Sequence, residues 1–424
     1  MALRRNDGYP GRMSALGNVA ALILALATLQ LAQGLLSVFF PLAMSADGLS
    51  PASVGLVGAA YAAGFMAGAW IGPTLLARSG HIRVFAACGA IAAAATLSVH
   101  FAGGLYGWAL ARAAMGIAIA LLFAAAESWM NATLGKSERG GVIGIYMVST
   151  KAALALGPFL THGFTADAPE PLMVAAAITA LAMVPICFTT TKQPEPPKAQ
   201  PLAIRQQFGT APAAVTACFG AGLINAAVLT LAPLYARDHF GEASATGFQA
   251  AAWFGSLILQ YPAGRLSDRV DRRLVIAGLT GLSAAAALAL ALTGESLGFP
   301  LAAALFGLWG AGALSFYGIA VAHMADRAEP SQIARATSGL LFVWAFGSVI
   351  GPVLAGAVTS LFGPSALFAF AATFGAALAG FMVVRRGARE PSAKAAPVAM
   401  APNQATSVVA AELAYGDGAP PKTP

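Results

Sequence analysis

The sequence predicts an all-α polytopic membrane protein: twelve transmembrane helices in two pseudo-symmetric six-helix bundles. Three observations predict it. Of 424 residues, 58% are hydrophobic and only 10% charged, with a mean hydropathy of +0.73; a soluble domain is nearer half apolar and a quarter charged. The chain breaks into twelve apolar runs, each close to the roughly 20 residues that cross a hydrocarbon core. The first six runs also resemble the last six.

The runs lie at 16–44, 51–77, 84–103, 105–130, 141–163 and 171–190, then at 209–236, 245–266, 273–293, 299–324, 336–362 and 365–385. They are continuous, whereas strands of a membrane barrel would alternate apolar and polar residues. The first run is longer than the 7–15-residue apolar core typical of a secretory signal, so no cleaved leader is expected. Residues 189–208, TTTKQPEPPKAQPLAIRQQF, break the pattern with prolines and basic groups. The resulting division is a cytoplasmic segment 1–14, a bundle 15–190, a linker 191–208, a bundle 209–386 and a polar tail 387–424 expected to be disordered. Paired residues mark the duplication: Pro41 with Pro233 and Gly55 with Gly247 at an offset of 192, and Gly116 with Gly307 at 191. Gly157 and Pro158 match Gly351 and Pro352 at 194. Repeated halves of one orientation fit a transporter with its site between them.

Charge sets the expected orientation. The chain has 24 Lys and Arg. With the N-terminus inside and sides alternating, only Arg112, Lys151 and Arg237 fall elsewhere, which leaves 21 on the cytoplasmic side. The opposite loops carry Asp47, Asp167, Glu170, Asp238, Glu242 and Glu295. This is the positive-inside asymmetry. It accounts for the net charge of +7 without nucleic acid, and places both termini on the cytoplasmic side of the membrane. Cys88, Cys187 and Cys218 lie in apolar runs, and buried free thiols are expected.

Along the chain, polar and aromatic groups fall within the spans. The first run carries Gln30 and Gln33 one turn apart, and the second carries Tyr61. The fourth holds Arg112 and Glu127, 15 residues apart, so about 22 Å along the axis and about 60° around it. They cannot pair. Trp108 and Trp129, near its two ends, read as interface anchors. The fifth run holds Tyr146 and Lys151; Lys151 lies about 9 Å deeper than Glu127 at 1.5 Å per residue, a gap two flexible side chains can bridge. Asn225, Trp253 and Trp344 lie deep in runs seven, eight and eleven. Glu127 is the one acid within a run, and an intramembrane charge costs roughly 2.5–3.5 kcal/mol even on the lenient scale, so these groups should face a wet cavity or one another. The expected assignments are Arg112 for an anionic substrate or proton site, Glu127 for proton carrier or inner lock, and Lys151 for a cavity cation. The plain alternatives are bonds to helix-1 carbonyls for Arg112 and a structural helix contact for Lys151. His323 reads as a packing or lock residue.

The loop after run eight concentrates charge: Gly264-Arg265-Leu266-Ser267-Asp268-Arg269, then Asp271-Arg272-Arg273. It resembles the loop signature of the major facilitator superfamily, G-x-L-x-D-R-x-G-R-R, with Asp271 where the family usually has Gly. The first half keeps a degraded copy, GPTLLARSGHIR at 72–83, with Arg78, Gly80 and Arg83 but Ala77 in place of the acid. Arg112, Gly116 and Ala120 are similar to the family's fourth-helix pattern, and Gly157-Pro158 to its fifth-helix pattern in antiporters. RAAMGIAIALLFAAAESWM and the stretch from Ser315 to Gly356 look like the YcaD-like branch. The resemblance implies the MFS fold and transport by alternating access. It implies a cytoplasmic gate at Gly264, Asp268, Arg269, Arg272 and Arg273, with helix packing at Gly116, Gly157, Pro158, Gly351 and Pro352. It supplies no substrate.

No nucleotide loop, metal spacing or nucleophile elbow is present in the sequence, so neither an enzyme nor a cofactor or metal is expected. The expected activity is proton-coupled movement of a small organic solute, export rather than import, by a monomer in the lipid bilayer. The alternative is a membrane-embedded sensor or assembly subunit on a transporter-derived fold.

Overall fold

A computed structural model describes residues 12–387 except 102, 136–138, 190–192, 196–203 and 330–331. Most of the expected N-terminal segment, much of the linker and almost all of the tail lie outside the described residues, as do Arg4, Arg5, Lys136, Lys192 and Lys198. The first half contains α1 (Arg12–Ala46), α2 (Pro51–Ser79), α3 (His81–Ser98), α4 (Gly104–Thr133), α5 (Arg139–Leu156), α6 (Glu170–Leu181) and α7 (Val184–Cys187). After it come α8 (Ile204–Thr210), α9 (Pro212–Phe240), α10 (Ser244–Arg269), α11 (Arg272–Thr293) and α12 (Phe299–Ala313). The chain closes with α13 (Phe316–Ala325), α14 (Ile333–Phe362) and α15 (Ala366–Gly387). No strand occurs among the described residues.

These helices make twelve crossings, because α6 with α7 and α12 with α13 each form one interrupted span. Among the described residues, eleven spans are long and apolar enough to cross a bilayer. The twelfth is α10, also long at 26 residues but interrupted by Gln249, Gln260, Arg265, Asp268 and Arg269. The α2–α3 and α10–α11 turns share one end of the bundle, called here the basic end. The other is called the acidic end.

The helix boundaries follow from local chemistry. Ser50 caps α2 by accepting from the Ser53 amide, and Pro51 occupies the first turn, where its missing N–H costs nothing. Gly80 separates α2 from α3 at φ 77°, a conformation that suits glycine. The equivalent position before α11 is Asp271, which instead caps the helix by accepting from the Arg273 amide at 2.9 Å. In the first half that task falls to Gln193, whose Oε1 accepts from the His81 amide at 3.0 Å.

The duplication is visible in packing. Within the first half α1 packs on α5, α2 on α4, and α3 on α4 and α6; within the second α9 packs on α14, α10 on α12, and α11 on α12 and α15. The motif glycines lie at these contacts. Gly116 meets the backbone of Tyr61 and Phe65, and Gly64 that of Ala113, so α2 and α4 touch main chain to main chain. Gly157 likewise meets Leu31 and Gly34, and Gly351 meets Leu223. Small residues permit such approach where lipid offers no hydrophobic drive.

Between the halves, α2 packs on α14, α5 on α10, and α1 on α9. At the acidic end Gly55 fits against Pro352 and Gly356, the Ala52 amide donates to Ser360 Oγ at 2.9 Å, and Arg237 donates to Ser45 Oγ at 2.7 Å. Leu110, Ile258, Leu292 and Leu361 remain exposed around the outside, as suits side chains that face acyl chains.

Several expectations change. The tenth span is not continuous: α12 stops at Ala313 and α13 starts at Phe316, near mid-span. The stretch read as linker ends in α8, and Gln207 there is buried and donates to Arg335 O. Cys88 and Cys218 are buried as expected, but Cys187 is exposed on the short α7. Trp108 and Trp129 are not lipid-facing anchors. Trp108 is buried and its indole N–H donates to Asp47 Oδ2 at 2.8 Å, tying α4 to the α1–α2 loop. Trp129 is buried against His81, whose Nε2 lies 2.9 Å from Ser128 Oγ.

Candidate functional site

A cavity lies where the halves meet, in two adjoining lobes of about 220 and 210 Å³. α1 brings Gln30 and Gln33, whose spacing puts them on one face with Ser37. α2 brings Tyr61 and Phe65, α4 brings Arg112 and Phe123, and the second half contributes Trp253 from α10 and Trp344 from α14. The second lobe shares Tyr61, Phe65, Arg112 and Trp344 and extends to Asn225 and Thr230 on α9. Of the residues expected in a cavity, Gln30, Gln33, Tyr61, Arg112, Asn225, Trp253 and Trp344 are therefore together on its walls. Tyr146, Glu127 and Lys151 are not on them.

Arg112 stands one turn before Gly116, on the face that Gly116 brings against α2. Its guanidinium carbon lies 4.2 Å from the ring centre of Tyr61 and 4.9 Å from that of Phe40. Such cation–π contact suits a delocalised cation. It forms no hydrogen bond with the described residues.

Lys151 is 7% exposed, and its ammonium crosses to the other half. Nζ donates to Ser256 Oγ at 2.7 Å and to Gln260 Oε1 at 3.3 Å, both on α10. Ser256 in turn donates to Leu314 O at 3.3 Å, within the break between α12 and α13. Asn225 Nδ2 satisfies Ala313 O at 2.9 Å. Carbonyls freed inside a membrane must find donors, and here α9 and α10 supply them. Interrupted helices beside a midplane cavity are where transporters place their ligands.

Glu127 is completely buried, and its carboxylate accepts from the Tyr146 hydroxyl. The structure does not join it to Lys151: the lysine turns across the bundle interface, while the tyrosine comes from one turn nearer the basic end of the same α5.

The charged loop forms a second cluster at the basic end. Arg272 grips Asp326, the residue that caps the end of α13, with two bonds, Nε to Oδ2 at 2.6 Å and Nη2 to Oδ1 at 3.1 Å, and reaches Asp268 at 3.2 Å. Arg273 pairs with Asp271 at 2.7 Å and donates to Arg385 O at 2.8 Å. The motif thus binds α10, α11, α13 and α15 to one another. Partial burial raises the Asp271 carboxyl pKa, but hydrogen bonds from the Arg273 side chain and amide outweigh it and hold the group below the ordinary aspartate value. Gly264 is buried, whereas Arg269 is exposed, as are Arg78 and Arg83 in the degraded copy.

Ser256, Gln260, Asp326 and Gln193 escaped the sequence reading. A signal existed for two of them: Gln249, Trp253, Ser256 and Gln260 make a polar stripe at helical spacing on α10.

A two-bundle helical protein with a mixed polar and aromatic cavity at the bundle interface is a membrane transporter by architecture. Residues 22–256 and 242–415 match the Major Facilitator Superfamily, and the chain belongs to that family. It is 25% identical over 377 residues to an uncharacterized MFS-type transporter of Enterobacter sp. strain 638, covering 88% of this chain and 97% of that protein. It is also 25% identical over 354 residues to the uncharacterized MFS-type transporter YcaD of Escherichia coli, covering 82% and 91%. In fold it resembles a mutant of the nucleoside transporter NupG, with a TM-score of 0.72, 15% identity, and coverage of 87% of this chain and all (100%) of that one. It also resembles a bacterial homolog of the human lysosomal transporter Spinster in an inward-facing, occupied conformation, with a TM-score of 0.67, 18% identity, and coverage of 89% and 96%.

Proposed function

We propose that the protein is a secondary active transporter that moves a small organic solute by alternating access, coupled to protons and in the direction of export. The observation that carries this reading is the cavity walled by both halves, beside an ammonium on one half bonded to the other. Rocking of the halves has to rearrange the Lys151 contacts with Ser256 and Gln260, so the cavity and that intramembrane charge move together. Glu127 with Tyr146 is the carboxylate available for a proton step. The partial Gly157-Pro158 pattern supports export, and the charge asymmetry supports cytoplasmic termini in a bacterial inner membrane. The transporter works as a monomer, since each chain holds a complete cavity.

The test is a metabolite-library uptake screen in inverted vesicles, with and without an imposed pH gradient. Gradient-dependent accumulation of a solute, absent from vesicles lacking the protein, is the expected result. Flux that ignores the gradient would remove the coupling, and no flux of any solute would remove the transporter reading.

A further inference from the structure

The cavity is electrically one-sided. Among the described residues lining its two lobes, Arg112 is the sole charged group. A guanidinium keeps its proton under all physiological conditions, so the cavity is positive. The guanidinium carbon sits over the rings of Tyr61 and Phe40, and no described residue accepts a hydrogen bond from its N–H groups. A cation would be repelled here, and a neutral solute would leave the charge uncompensated. A carboxylate offers two oxygens that match the planar fork.

The walls bear on the rest of the solute. Trp344 stands against Phe65 at 5.9 Å and Tyr317 at 6.3 Å, both edge to face, which fixes its indole as a flat surface. Such surfaces favour planar, unsaturated groups. The charge number follows from the lining: Arg112 is the one charged group on the described walls, and Lys151 lies off them with its ammonium on Ser256 and Gln260.

Building on the transporter reading above, we infer that the solute is a small organic monoanion with a flat, unsaturated body, its acid group on Arg112 and its body against Trp344.

The test uses purified full-length protein and a matched set of probes: phenylacetate, phenylacetamide, phenethylamine and the aliphatic acid hexanoate. Thermal shift and calorimetry should place phenylacetate at least about tenfold tighter than the amide and the amine, the worth of one charge-assisted pair. Hexanoate should bind more weakly than phenylacetate. Arg112→Gln should lose the preference of the anion over the amide. Arg112→Lys keeps the charge without the fork and should retain a reduced preference, which covers the case where the Gln variant does not fold. Amide or amine binding equal to phenylacetate, no phenylacetate binding, or parental anion preference in Arg112→Gln would overturn the charge assignment. Hexanoate binding as tightly as phenylacetate would overturn the flat body. Counterflow in proteoliposomes separates this from the transporter reading: flux of amide or amine alone sinks the inference but keeps the transporter, whereas phenylacetate binding without flux keeps the site but not the transporter.

Discussion

Glu127 holds the Tyr146 hydroxyl on its buried carboxylate, while Lys151 turns to a serine 105 positions away. If Glu127 carries the proton, Glu127→Gln should abolish pH-gradient-driven flux while solute exchange across the membrane continues. Full gradient-driven flux in Glu127→Gln proteoliposomes would assign it to a lock instead. Tyr146→Phe removes the hydroxyl that donates to Glu127 and should shift the pH dependence of flux without ending it. Residue counting puts Glu127 and Lys151 within reach of each other but cannot say which way a side chain turns; likewise a tryptophan at a helix end reads as an interface anchor, and only the fold reveals Asp47 at the Trp108 indole. At the basic end, Arg272 balances two acids while only 2% exposed. Removing one member of a buried ionic cluster leaves uncompensated charge, typically 3–5 kcal/mol. Arg272→Ala should therefore lower the melting temperature in detergent markedly, whereas truncating the exposed Arg269 should barely change it.

Among elements, the twelve spans were legible because hydropathy over 20 residues is a strong signal. The break between α12 and α13 was not. Leu314 and Ser315 are ordinary helix residues, and the donors that stabilise the break come from Asn225 and Ser256, 88 and 58 positions distant. Asn225→Leu strips Ala313 O of its donor inside the membrane. The expected loss is about 1–3 kcal/mol, read as a lower melting temperature, with weaker solute binding because Asn225 also lines the cavity. The departure from the family loop at Asp271 also has its explanation at this scale: the acid serves as the cap of α11. Its folded pKa lies below the unfolded one, so its contribution to stability is complete at neutral pH and is lost as pH falls through the folded value, below about 4. Asp271→Ala and Asp271→Gly both leave the buried Arg273 without its acid, and Ala also caps worse than Gly, so both should melt well below the parent at neutral pH, with the Ala variant the lower of the two.

For the whole molecule, the nearly constant offset between halves marked a duplication, and the equivalent packing of α2 on α4 and of α10 on α12 follows it, with glycines that let the backbones touch. How the two bundles face each other lay beyond it, since residues such as Ala52, Gly55, Pro352, Gly356 and Ser360 bear no mark of their partners across 300 positions of chain. That seam has a practical consequence. The Ala52 amide and Ser360 Oγ are 2.9 Å apart at the exposed acidic end, so the two positions lie within the reach of a cystine bridge. In a Cys187→Ser background, which removes the exposed native thiol, the pair Ala52→Cys and Ser360→Cys should make a valve thrown by redox reagents. Oxidation should stop solute counterflow and a reducing agent should restore it, while the single-cysteine versions run throughout. Undiminished counterflow in the cross-linked protein would mean that the acidic seam need not part, and that the carrier works by some motion other than rocking of its halves.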